Sequence, residues 1–175
     1  DLTRSRGLGD VYKRQNVIKI ECLSSENFLN NLNTTLTSQK VKAVLVSFPH
    51  NPTTLTVNQE FYDELVNLAR RYNFLIINDF AYSDIYFNEE KPPSLLNSDP
   101  QFDHTVELYS LTKGYSMAGW RVGFAVGNES AISSLTKLKS YIDYGTFQPI
   151  QIASTVAINE LDDYPKEVSS IYQDR

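Results

Sequence analysis

"TVELYSLTKGYSMAGWRVGFAV", residues 105–126, decides the fold. Its two ends, "TVELYS" (105–110) and "WRVGFAV" (120–126), are apolar and β-branched or aromatic, as strands are. The link between Ser110 and Trp120 is too short for an ordinary crossover helix, so the second strand is expected to run antiparallel or at the sheet edge. One charged side chain, Lys113, sits in that link among small, aromatic and apolar residues. Packing does not require a lysine there.

Upstream lie two more strand-like runs, "VKAVLVSF" (41–48) and "FLIINDF" (74–80). They read as buried strands of a mostly parallel sheet. Between them, Phe61, Leu65, Leu68, Ala69 and Tyr72 recur at helical spacing, with Arg70 and Arg71 where a helix C-terminus favours cations. Thr56 and Gln59 are expected to form the capping box that starts this helix. Residues 88–101 carry three prolines and read as a loop. Downstream, 129–142 is an amphipathic helix on Ile132, Leu135, Leu138 and Ile142; 147–160 is another helix, and Pro165 opens a third. The weakly patterned segment 16–40 is expected to hold one short strand near Val17–Ile20 and then polar turns. The whole is an α/β pattern with helices on both faces of the sheet.

Composition narrows the partners. The 175 residues are 41% hydrophobic and 21% charged, with a formal charge of −5. That balance fits a globular protein and speaks against a nucleic-acid surface or a basic membrane patch. No apolar run approaches the ~20 residues that span a bilayer. Cys22 is the one cysteine, which excludes an intrachain disulfide and points to a reducing, cytoplasmic compartment. The N-x-S/T matches at Asn33 and Asn128 read as chance. "DVYKRQ", Asp10–Gln15, back-translates to GAT GTG TAT AAG AGA CAG, which resembles the transposase end used to prepare sequencing libraries. Residues 1–15 are therefore expected to be foreign, and an upstream part of the protein to be missing. Setting them aside leaves 12 basic and 19 acidic residues, a charge of −7.

Ligands of open parallel sheets bind beyond the carboxyl ends of the strands. Three strand ends here carry distinctive polar groups: Asn51 after the first, Asn78-Asp79 with Tyr82 after the second, and Ser110 with Lys113 after the third. A lysine free amine attacks carbonyls. A cofactor acting as an electron sink needs a carboxylate beside its ring nitrogen, such as Asp79. A phosphate needs hydroxyl donors and a bidentate cation, such as Ser110 and Arg121. Gly114, Gly119 and Gly123 permit tight turns or close approach of a ligand. Each residue alone has an ordinary reading as a turn, a surface ion pair or a solvated loop charge. Ser110 to Lys113 also matches the S-x-x-K of penicillin-binding proteins, without that family's S-D-N and K-T-G companions. His50 lines the site edge at most, His104 sits at a polar loop, and Trp120 reads as packing.

Taken in order, "FPHNPTT", "NDFAYSDIYF" and "YSLTKGYSMAGWRVGF" resemble the three signature segments of class I/II pyridoxal-phosphate aminotransferases, over about residues 40–160. The wording is most similar to the branch of alanine and LL-diaminopimelate aminotransferases. The resemblance implies the C-terminal part of a fold-type-I, cofactor-binding large domain over 16–145, then an interdomain helix and the truncated start of a small domain over 146–175. It implies pyridoxal 5'-phosphate as cofactor. Lys113 would be the Schiff-base lysine and proton shuttle, and Asp79 the partner of the ring nitrogen. Asn51 and Tyr82 would bind the phenolic oxygen, Ser110 and Arg121 the phosphate. It also implies a cis Asn51–Pro52 bond, ping-pong transfer between an L-amino acid (alanine or glutamate) and a 2-oxo acid, and a homodimer. Tyr144 and Thr146 are interface candidates. The family's upstream phosphate turn, ring-stacking aromatic, partner tyrosine and substrate-carboxylate arginine have no counterpart in this sequence. The chain alone is therefore expected to be inactive and its parent an enzyme. A carbon–sulfur lyase and a non-enzymatic regulatory domain are the rival implications of the same fold.

Overall fold

The computed structural model describes residues 16–175; the expected foreign segment 1–15 lies outside the described residues. Its scaffold is a four-stranded sheet: β1 (Ala43–Val46), β2 (Leu75–Asp79), β3 (Thr105–Ser110) and β4 (Gly123–Gly127), in that spatial order. β1, β2 and β3 run parallel, and β4 returns antiparallel to β3. The short link after Ser110 therefore acts as expected. In register, Val46 pairs with Asn78, Asp79 with Leu108, and Ser110 with Gly123, so the polar strand ends share one edge region.

The first helix, α1 (Ser25–Ser38), corrects the reading of 16–40. No strand forms at 17–20, and the supposed polar turns are helical. Ser24 caps the helix by accepting from the Asn27 amide at 3.1 Å. Phe28, Leu32 and Leu36 recur every fourth residue and are buried. The helix is hard to see because Asn, Thr and Ser fill its other positions. Thr34 and Thr35 satisfy their hydroxyls within it, each donating to the carbonyl four residues back at 2.9 Å.

The second helix, α2 (Gln59–Tyr72), has the expected apolar face: Phe61, Tyr62, Leu65, Val66 and Ala69 are buried. Its cap differs from the expected Thr56–Gln59 box. Asn58 is the N-cap, accepting from the Phe61 amide at 3.1 Å, while Gln59 donates to Ser98 at 2.6 Å. α1 and α2 pack with Val44, Val46 and Ile76 as one core on one face of the sheet. Alternation turns Leu45 the other way, where it is 68% exposed.

Between β2 and β3 the chain contains a 3-10 turn, Leu95–Ser98, held from beneath by Glu107. β3 passes directly into the one-turn helix α3 (Leu111–Gly114) and then a 3-10 turn, Ala118–Trp120. Trp120 is 52% exposed there, so its expected packing role is corrected: it ends a turn that leaves the core. α4 (Glu129–Ile142) occupies the expected residues, but no residue of it is buried; its apolar stripe stays largely uncovered. α5 (Gln148–Glu160) and α6 (Tyr164–Gln173) follow, each with proline at its first turn. Among the described residues, no helix is long and apolar enough to cross a membrane.

Candidate active site

The three turns beyond the parallel strands converge. The turn after β1 contains two cis bonds, Phe48–Pro49 and Asn51–Pro52, the second as expected. It presents Asn51, whose Nδ2 donates to the Tyr82 hydroxyl oxygen at 3.1 Å, across 31 residues of sequence. Tyr82 comes from the tight turn after β2, closed by the Ser83 amide donating to the Phe80 carbonyl at 3.1 Å. The Lys113 Nζ, from α3 beyond β3, stands 5.3 Å from the centroid of the Tyr82 ring. An ammonium in that position is attracted to the ring face. One tyrosine thus links all three turns.

Asp79 ends β2 exposed to solvent, and its Oδ1 accepts from the Ala81 amide at 3.3 Å. The ion pairs among the described residues, Arg70–Asp99, Lys139–Asp143 and Lys166–Asp163, include neither Asp79 nor Lys113. Ser110 caps α3, its Oγ accepting from the Thr112 amide at 3.2 Å. That bond uses a lone pair and leaves the hydroxyl proton available. Arg121 is brought to the same end of the sheet: Ser110 pairs with Gly123, and the Leu111 amide donates to the Val122 carbonyl at 3.3 Å. Arg121 is exposed at φ +54° and donates from its guanidinium to the Ala118 carbonyl at 3.2 Å.

A groove of about 920 Å³ opens beside these turns, lined by His50, Asn51, Tyr82, Ile85, Tyr86 and Phe87 among others. It reaches Asn51 and Tyr82, whereas Asp79, Ser110, Lys113 and Arg121 lie outside its lining. His50 does border it, and its Nδ1 lies 2.7 Å from the Thr53 hydroxyl. His104 is structural: its backbone amide donates to Asp99 and its Nδ1 contacts the Phe74 carbonyl. Among the described residues no cluster of metal-ligating side chains occurs.

The model of aminotransferase class I and II matches residues 11–174. The chain belongs to this family. Its aminotransferase relatives include the LL-diaminopimelate aminotransferase of Nitratidesulfovibrio vulgaris, 42% identical over 79% of this chain and 36% of the relative. The glutamate-pyruvate aminotransferase AlaC of Escherichia coli is 37% identical over 95% of this chain and 41% of its own. Among solved structures, aminotransferase AspB of Helicobacter pylori superposes with a TM-score of 0.81 at 29% identity, over 93% of this chain and 44% of that one. This aminotransferase chain thus spans less than half the length of these relatives. The family match begins at residue 11, inside the segment set aside on sequence grounds.

Two further residues stand beside the candidate site that the sequence alone did not single out. Tyr109 donates its hydroxyl to Asp84 Oδ2, and Asp84 lies against Gly114, the residue after Lys113. Burial, and then the Asp84 carboxylate, push the Tyr109 phenol well above its ordinary value. Strand alternation placed Tyr109 on the opposite face from Ser110, but its partner comes from 25 residues away.

Proposed function

We propose that the full-length protein carrying this chain is a pyridoxal-phosphate-dependent aminotransferase that moves an amino group between an L-amino acid and a 2-oxo acid. One observation carries the reading: Asn51, Tyr82 and Lys113, from three separate strand ends, meet around a single phenol. The donor set fits the cofactor. Asn51 spends one amide hydrogen on Tyr82 and keeps a second, and the Tyr82 hydroxyl accepts that bond with its own proton still to give. Two donors are thereby aimed where one anionic phenolic oxygen needs them. Ser110 and Arg121 offer a hydroxyl and a bidentate cation to a phosphate. Asp79 offers a carboxylate to a protonated ring nitrogen.

Bound pyridoxal phosphate supplies an electron sink that lets the α-hydrogen of an amino acid leave as a proton. The chain's residues do the rest. Lys113 would hold the cofactor through its amine, and its free Nζ would take that proton and return it. Asp79 would pair with the ring nitrogen and favour its protonated form. Tyr82 holds the lysine end of the site in reach, and Arg121 with Ser110 fixes the far end. In ping-pong order, one oxo acid leaves before the second binds. The name of one relative, the glutamate-pyruvate aminotransferase AlaC, supports a small neutral amino acid, glutamate and their oxo acids as substrates, while other relatives are named for LL-diaminopimelate. A homodimer in the cytoplasm completes the proposal, with Tyr144, which is almost fully exposed, and Thr146 at the subunit contact.

The test reconstitutes the full-length protein with pyridoxal phosphate and follows its visible absorption. L-glutamate or L-alanine should change the spectrum and a 2-oxo acid should restore it, while Lys113→Ala completes no cycle. Asp79→Asn should slow each half-reaction by about a hundredfold or more. A wild-type protein that binds no cofactor, or near-normal rates in Asp79→Asn, would sink the assignment.

A further inference from the structure

Asp84 and Gly114 bring two site turns into contact. Asp84 lies two residues after Tyr82, and Gly114 directly follows Lys113. A methyl group built on Gly114 would come within 2.8 Å of Asp84 Cβ and 2.9 Å of Cγ. No side chain fits between the turns, so the buried Gly114 backbone rests directly on Asp84. Asp84 is itself held, since its Oδ2 accepts the Tyr109 hydroxyl. Tyr109 is fixed in turn by Phe124 of β4, the two rings stacked with centroids 4.8 Å apart and 26° between planes. A continuous run of contacts therefore joins the antiparallel strand pair to the backbone next to Lys113.

We propose that Asp84, held by Tyr109, is a positioning residue that sets the turn of Tyr82 against the turn of Lys113. The inference rests on the reading of Lys113 as the cofactor lysine. The ion pairs among the described residues do not join Asp84 to the lysine amine, and Asp84 lies outside the lining of the groove that Asn51 and Tyr82 border. It acts through distance: Tyr82 and Lys113 lie 5.3 Å apart, ring centroid to Nζ, because Asp84 and Gly114 meet behind them. A misplacement of about 1 Å between such groups costs roughly a hundredfold in rate. The raised phenol of Tyr109 keeps the donor on the tyrosine and the acceptor on Asp84.

The experiment uses the full-length protein and the variants Asp84→Ala, Asp84→Asn and Tyr109→Phe. In the cofactor-free protein, a lysine-acylating reagent is applied briefly, and peptide mass spectrometry reports modification of Lys113 relative to Lys137 on α4. The dissociation constant for pyridoxal phosphate and the melting temperature are measured beside it. Folded Asp84→Ala and Tyr109→Phe should raise the Lys113 to Lys137 ratio about threefold or more as the turn loosens. They should weaken cofactor binding about tenfold. Asp84→Asn, which keeps an acceptor oxygen for Tyr109, should fall between them and wild type. If Asp84→Ala fails to fold, Tyr109→Phe decides, because it keeps the ring stacked on Phe124. A lowered melting temperature with an unchanged Lys113 ratio and unchanged binding would overturn the proposal and leave a structural clamp. If wild type binds no pyridoxal phosphate, the proposed function fails, and the labelling ratio still decides the role of Asp84.

Discussion

Lys113 answers to its neighbours rather than to its own segment. Its amine stands over Tyr82, Tyr82 accepts from Asn51, and Asp84 closes the turn behind it. Tyr109 gives this arrangement a pH signature. Burial, then Asp84, raise the Tyr109 phenol above its ordinary value of 10.0. Tyr62 is raised too, by burial and then by Glu107, with Asn78 acting against them. A folded-state value above the unfolded one means the folded protein keeps protons that the unfolded chain has lost. The stabilisation is fully present below about pH 10 and declines as pH rises beyond it. The melting temperature of the full-length protein should therefore fall above pH 10, and that of Tyr109→Phe should fall less steeply. At neutral pH the variant should melt lower, because Asp84 has lost a donor. Parallel curves for the two proteins above pH 10 would contradict this.

At the scale of elements, Glu107 shows how β3 supports the site's neighbouring loop. It is 7% exposed and accepts from Asn78 Nδ2 at 3.1 Å, Ser94 Oγ at 2.7 Å and the Leu95 amide at 2.9 Å. The proline-rich loop thus begins its 3-10 turn on a carboxylate anchored in the sheet. Glu107→Ala removes three partners at once and leaves buried donors unmet, a loss of about 3 kcal/mol. Denaturant unfolding of the full-length protein should show it, and a change below ~1 kcal/mol would contradict the anchoring role. Which elements the sequence revealed follows from similar local physics. β1 to β4 were legible because β-branched runs sit between Gly, Pro and Asn signals. α1 was not, because its Asn, Thr and Ser positions obscure a stripe of three apolar residues. The start of α2 was misread because Thr56 and Asn58 are both eligible caps, and the chain stays extended past the first.

Over the whole molecule, the placement of the candidate site residues was legible where chemistry is written into residue type and strand position. Asn51, Asp79, Tyr82, Ser110 and Lys113 fall at or just beyond the expected strand ends, and Arg121, expected within the fourth strand, lies just before it. Asp84 and Tyr109 were not legible, because their meeting depends on how two turns fold over a sheet. The apolar stripe of α4 and exposed Phe124, Val126 and Leu45 belong to a chain that spans 36% and 41% of two enzymes it matches. Function therefore has to be measured on the full-length protein.

The central claim is that Lys113 is the amine that holds the cofactor. The most direct measurement treats the full-length protein with pyridoxal phosphate, reduces it with borohydride and maps the modified peptide by mass spectrometry. One stoichiometric pyridoxyl group should appear on Lys113 and be abolished in Lys113→Ala. Modification spread over surface lysines, or centred on a lysine other than Lys113, would contradict it.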